Sequence, residues 1–244
     1  MALRIAFAGA CAAGAYVVGL FALHAQSAAS APRIGTAVAV VRKTAVKRPA
    51  EPGMLIAVVR REVVVRSGPN GSMLARVSPR TEFGSPQTLA VTSASRSGFS
   101  VISTAVPNGH VGWVARHALR LRRTTVSVEV DLSRQLLRVR NANRIVHAMR
   151  VGIGAPGTST PVGRFAITDK LNGADYSAVY GCCILALSGH QTNLPGGWRG
   201  GDRLAIHAGS TAGAVSTGCL HASTADLRYL MRLVPLGAQV VIHP

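Results

Sequence analysis

The chain has 244 residues and carries 27 Lys and Arg against 9 Asp and Glu, a formal net charge of +18. Its length leaves room for two small domains, and 48% hydrophobic residues suffice for cores, which excludes a chain disordered throughout or built of several large domains. Arg outnumbers Lys 24 to 3, and the basic excess is spread along the chain, so it reads as composition bias with a solvated basic surface rather than as a nucleic-acid footprint.

Arg4 precedes an uncharged run from Ile5 to Leu23 that is rich in Ala, Gly and Val. Such a run suits either the core of a signal peptide or a thin membrane span, and residues 1–23 are assigned to that class. Ser27-Ala28-Ala29 and Ala29-Ser30-Ala31 offer small residues for cleavage, while the length of the run favours retention as an anchor. Both outcomes export the remainder. Cys11 lies inside the run and reads as a packed apolar residue. Residues 24–53 combine Ala, Ser and Pro with Arg42, Lys43, Lys47 and Arg48, the composition of an extended basic linker.

From residue 54 to 122, short β-prone runs recur at Leu55–Val59, Val63–Arg66, Met73–Val77, Ser100–Thr104 and Val111–Val114. Gly68, Asn70-Gly71, Gly84 and Asn108-Gly109 supply turns, so a small β-barrel is expected. Trp113 reads as a core anchor in preference to a ligand-stacking residue. Beyond residue 123, Val126–Val130 and Leu136–Val139 alternate, a turn at Asn141–Asn143 follows, and Ile145–Val151 completes consecutive hairpins. Adjacent Cys182 and Cys183 fall in a β-prone segment, where alternation would point them to opposite faces and favour packing over a vicinal disulfide. Ser223-Thr224-Ala225-Asp226 caps a helix that carries Leu227, Leu230 and Met231 on one face and stops near Pro235 and Gly237, with Val240–Ile242 as a last strand. The expected class is mainly β with a minor helix.

The strongest chemical signal lies near the C-terminus. Leu204-Ala205-Ile206 is a short buried-strand pattern that delivers His207 to its end, and Ser216-Thr217-Gly218 is a tight turn immediately before Cys219. A thiol acts as a strong nucleophile only as thiolate, and an imidazole can take its proton and return it to a leaving amine. Gly218 allows close backbone approach, and with Ser216 and Ala208 it is a candidate for shaping an oxyanion site. His221, two positions past Cys219, is expected to point away from the thiol. No pair of cysteines has Cys-x-x-Cys spacing and the histidines form no ligand-spaced cluster, so no metal or other cofactor is expected.

Ile206-His207-Ala208-Gly209 followed by Ser216-Thr217-Gly218-Cys219-Leu220-His221 resembles the L,D-transpeptidase, or YkuD-type, catalytic domain. Thr160-Pro161-Val162-Gly163-Arg164-Phe165, Leu185–His190 and Gly200–His207 extend the likeness over 123–244. The chain departs from the family pattern at Ala208, where Gly is usual, at Thr217 in place of a histidine, and at His221 in place of Arg or Asn. Val63–Pro69 and Gly112-Trp113-Val114 similarly resemble a bacterial SH3-like domain over 54–122. The first resemblance implies a β-sandwich with Cys219 as nucleophile and His207 as proton donor and acceptor. Thr217, His221, His190 and Asp202 are then substrate-binding candidates.

The implied activity is formation of 3-3 cross-links between peptidoglycan stem peptides through a cysteine acyl-enzyme, with release of D-Ala. Alternatives are an L,D-carboxypeptidase or exchange enzyme of the same family, or a catalytically degenerate wall-binding protein. Cell-wall peptidases of the NlpC/P60 type place cysteine before histidine, and sortases use a longer interval, so neither fits as well. Combined with the export segment, the basic surface suits an anionic cell-wall polymer or a membrane surface, on the extracytoplasmic face of a bacterial cell.

Overall fold

The computed structural model describes residues 53–244. The expected export segment and all but the last residue of the expected linker lie outside the described residues. Among the described residues no helix is long and apolar enough to cross a membrane.

The N-terminal β unit contains β1 (Met54–Val59), β2 (Val63–Arg66), β3 (Met73–Val77), β4 (Thr88–Ala94), β5 (Gly98–Ile102), β6 (Gly112–Ala115) and β7 (Leu119–Thr124). They form one sheet in the order β3-β2-β6-β5-β4-β1-β7. Alternation selects the inner face: Val63 and Val65 are buried while Val64 and Arg66 are partly exposed, and Ala57, Val59, Leu89, Phe99, Val101 and Val114 complete the apolar cluster. Trp113 is a correction. It sits between the inward Gly112 and Val114, so the pleat turns it outward, where it lies half-buried over Gly98 and outside that cluster. The sequence reading also passed over β4 and β7. Four successive residues of β4 are buried, which removes alternation, and β7 interleaves its two leucines with arginines at a sheet edge.

The C-terminal part contains β8 (Val126–Asp131), β9 (Leu136–Asn141), β10 (Arg144–Arg150), β11 (Ile153–Gly154), β12 (Gly163–Asn172), β13 (Cys183–His190), β14 (Arg203–Ala208), β15 (Ala214–Ser216), β16 (Leu220–Ala222), α1 (Thr224–Leu233) and β17 (Gln239–His243). Eight of these strands run in the order β10-β9-β8-β17-β12-β13-β14-β16, and β11 pairs with β15 separately. The hairpins β8–β9 and β9–β10 form, and β8 and β9 follow the expected alternation, whereas β10 is largely exposed. One core joins Val128, Leu137, Phe165, Leu185, Leu204, Ile206 and Val240 to Leu227 and Leu230 of α1. Ser223 caps α1: its hydroxyl accepts from Asp226 N at 3.2 Å and donates to the Asp226 carboxylate at 2.6 Å. The fold is mainly β with one α-helix among the described residues.

The two sheets are docked by specific contacts. Ala90 and Ile102 form a small apolar cluster with Ala166, Gln239 Nε2 donates to Val91 O at 3.4 Å, and the Thr81 hydroxyl donates to the fully buried Asp169. Asn108 makes two bonds to the main chain of His190, donating from Nδ2 to its carbonyl at 2.6 Å and accepting its N–H at 2.9 Å. This side chain thereby continues the hydrogen-bonding edge of β13.

Candidate active site

The site is built where β14 runs parallel to β16, with Ile206 opposite Leu220 and His207 opposite His221. On β14, Leu204 and Ile206 point into the core, which leaves Ala205 and His207 on the other face. Leu220 and Ala222 likewise enter the core, so Cys219 and His221 share the face of His207. His207, Cys219 and His221 line one cleft of about 400 Å³ with Tyr180, Gln191, Trp198, Asp202, Ser216 and Thr217. The expectation that His221 points away from the thiol is corrected here. Residues two apart on an extended chain point to the same side, and the His221 ring lies 4.7 Å from that of His207.

His207 is buried at 5% exposure, and its Nδ1 donates to Ala208 O at 2.9 Å, which leaves Nε2 as the basic nitrogen. The Tyr180 ring packs edge-on against the imidazole with centroids 4.9 Å apart. Burial pushes the His207 pKa down to about 4 against the raising effect of the Ala208 carbonyl, and His221 depresses it further. Burial also lowers His221 and raises Cys219, the latter opposed by the Ala205 amide. The resting pair at neutral pH is therefore a neutral thiol and a neutral imidazole, suited to proton transfer as the sulfur attacks.

The turn before Cys219 is satisfied from both sides. Gly218 takes the left-handed φ of 110°, and its N–H is bound by Ser216 Oγ, which donates in turn to the Cys219 carbonyl. Ala155 N and Thr158 Oγ1 donate to Ser216 O at 2.8 and 3.2 Å. A second cavity of about 210 Å³ also reaches Cys219 and is lined by Phe83, Leu171, Tyr176, Tyr180, Ile184 and Arg203. Phe83 belongs to the N-terminal β unit, whose Glu82 pairs with Arg203.

Residues 125–242 match the family model of the L,D-transpeptidase catalytic domain, YkuD. This segment is a YkuD-type L,D-transpeptidase domain. Among solved structures, an L,D-transpeptidase from Mycobacterium smegmatis is similar at 16% identity, over 81% of this chain and 96% of that one, with a TM-score of 0.41. One from Mycobacterium tuberculosis H37Rv is 19% identical over 55% and 72% of the two chains, with a TM-score of 0.39. One from Stackebrandtia nassauensis is 21% identical over 50% and 57%, with a TM-score of 0.37. Comparison with curated proteins gives no match.

Within the L,D-transpeptidase domain, Asp202 lines the cleft, whereas His190 faces the N-terminal β unit. Its Nδ1 bonds Asp202 Oδ2 at 2.9 Å and its Nε2 bonds Thr104 O at 3.0 Å. Ala208 contributes its carbonyl to His207. The vicinal cysteines are a further correction, because the structure joins Cys182 and Cys183 in a disulfide. Gly181, with a φ of 65°, turns the chain so that Cys182 precedes the strand that Cys183 opens, and alternation between strand faces does not govern the pair. Cys219 is the free cysteine among the described residues, and no group of three or more His, Cys, Asp or Glu there could hold a metal ion. The sequence reading missed Tyr180, Phe83 and Gln191. They come from a short 3-10 turn, the N-terminal β unit and the residue just past β13, with no motif to mark any of them.

Proposed function

We propose that the chain is a cell-wall L,D-transpeptidase that forms 3-3 peptidoglycan cross-links on the extracytoplasmic face of a bacterial cell. The reading is carried by the placement of Cys219 and His207 on one face of the β14–β16 edge, inside one cleft, with His207 Nδ1 committed to the Ala208 carbonyl. His207 Nε2 accepts the thiol proton as Sγ attacks the carbonyl carbon of the third residue of a stem tetrapeptide. The C–N bond to the terminal D-Ala breaks, the imidazolium returns the proton to the leaving amine, and a thioester remains. An acceptor amine attacks that carbonyl and releases the thiolate, and its proton passes through His207 back to sulfur. Thr217, His221 and Asp202 line the cleft and contact the peptide, while His190 holds Asp202. The N-terminal β unit, read as an SH3-like domain, presents the catalytic domain to the wall. Exchange with a free D-amino acid or hydrolysis shares the first half of this sequence and differs only in the acceptor.

The test is intact-mass spectrometry of the chain with defined muropeptides and, separately, with a carbapenem. The wild type acquires one acyl group on Cys219, Cys219→Ala acquires none, and analysis of the muropeptides separates cross-linking from exchange and hydrolysis. Wild-type protein that stays unmodified, or an adduct that persists in Cys219→Ala, refutes the cysteine assignment.

A further inference from the structure

Gln191, the residue immediately after β13, is buried at 5% exposure. Its Nε2 donates to Thr158 O, Ser159 O and Thr217 O at 3.0, 3.1 and 3.2 Å, and its Oε1 accepts Asn193 N at 3.0 Å. A carboxamide nitrogen has two hydrogens, so three acceptors share them in a bifurcated arrangement that spends the whole donor capacity of the group. Those acceptors come from two separate segments, the 155–160 loop and the turn before the nucleophile. The backbone N–H of Gln191 donates to Asp202 O at 2.6 Å, and the preceding residue is clamped by Asn108. The backbone that carries the carboxamide is therefore tied to Asp202 and, through residue 190, to the N-terminal β unit.

Its contact with Thr217 O fixes the orientation of the peptide that leads into Gly218. A Cβ at Gly218 would collide with Gln191 Nε2, so the turn and the carboxamide are in direct contact across the absent side chain. Ser216 secures the same turn from its other side, through Gly218 N and the Cys219 carbonyl. With both peptide orientations set, the backbone that carries Cys219 is fixed at the wall of the cleft that His207 also lines.

We infer that Gln191 is a positioning residue for the nucleophile, acting through the Thr217 carbonyl and not by contact with the sulfur. This role rests on the cysteine-acylation reading above. Leu at this position keeps a branched apolar side chain one atom shorter than Gln and removes both donors. Glu preserves shape and the acceptor for Asn193 N, but places a carboxylate against three carbonyl oxygens until a proton restores one donor.

The experiment measures the saturating rate of acylation by a carbapenem, and in parallel the rate of alkylation of Cys219 by iodoacetamide, for wild type, Gln191→Leu and Gln191→Glu from pH 5 to 7.5. Site-resolved peptide mass identifies the modified cysteine, and thermal melting reports folding. Gln191→Leu is expected to lose about ten- to a hundredfold in both rates while the carbapenem concentration for half-saturation stays nearly unchanged. Gln191→Glu is expected to recover toward wild type as the pH falls, with no such recovery in Gln191→Leu. Wild-type rates in Gln191→Leu, or parallel pH profiles for the two variants, overturn the inference, and a merely structural role would give the second result. If the wild-type thiol takes no acyl group, the functional reading falls while the alkylation arm still decides the role of Gln191.

Discussion

Replacing His207 by Gln tests whether the imidazole is held neutral by its burial. The folded chain keeps the His207 pKa at about 4, against an ordinary 6.5, with burial as the main cause. Between these limits the unfolded chain binds a proton that the folded chain refuses, so stability rises with pH across the window and falls on acidification. Above pH 6.5 both states are neutral and the effect is absent; below pH 4 both are protonated and the whole penalty is present. At 1.36 kcal/mol for each unit of pKa, the displacement corresponds to about 3 kcal/mol of stability lost between pH 6.5 and 4. Gln has no charge to gain. Urea unfolding of wild type and His207→Gln at pH 7, 5.5 and 4 should therefore show the wild type losing about 3 kcal/mol more than the variant. Acid losses from Glu129, whose carboxylate is held down by its hydrogen bond to Arg140, occur in both chains and cancel in the difference. Parallel stability curves would refute the claim that burial keeps His207 neutral, as would an NMR titration that places its midpoint near 6.5.

Acylation by a carbapenem should retain its base down to about pH 4, because the group that titrates is the depressed His207. His207→Gln should reduce the rate by about a hundredfold or more, whereas His221→Gln should cost less and act chiefly on affinity, as rates measured across pH will show. Gly218→Ala should be destabilised by about 1–3 kcal/mol in denaturant unfolding, since Ala must adopt a φ of 110° and displace the Gln191 carboxamide. It should also lose acylation beyond what stability explains, and a Gly218→Ala variant that unfolds and acylates like wild type would remove the close-packed turn from the account.

Local patterns made much of this molecule legible. The strands β1, β2 and β3, the hairpins β8–β9–β10, the Ser223 cap and the apolar stripe of α1 are each written in the residues that form them, because periodicity and capping act over a few positions. The candidate pair Cys219 and His207 is legible for a related reason: each belongs to a short strand-and-turn pattern whose residue types suit the proposed chemistry. β4 escaped because burial of successive residues erases alternation, and Trp113 misled because a large aromatic ring was assigned to the core without the register that turns it outward.

The tertiary structure decided what lies between distant segments. It brought His221 beside His207 through the parallel β14–β16 pairing, and set Gln191 against the Thr217 carbonyl. It brought Asn108 and Phe83 from the first sheet to the border of the site in the second. The sequence alone determined which residues could attack, accept a proton, cap or turn, since those are properties of side chains and short backbone stretches. It did not determine which of them meet, because the hydrogen bonds and packing that join residues 108, 190 and 217 depend on strand order and register, which no local spacing encodes.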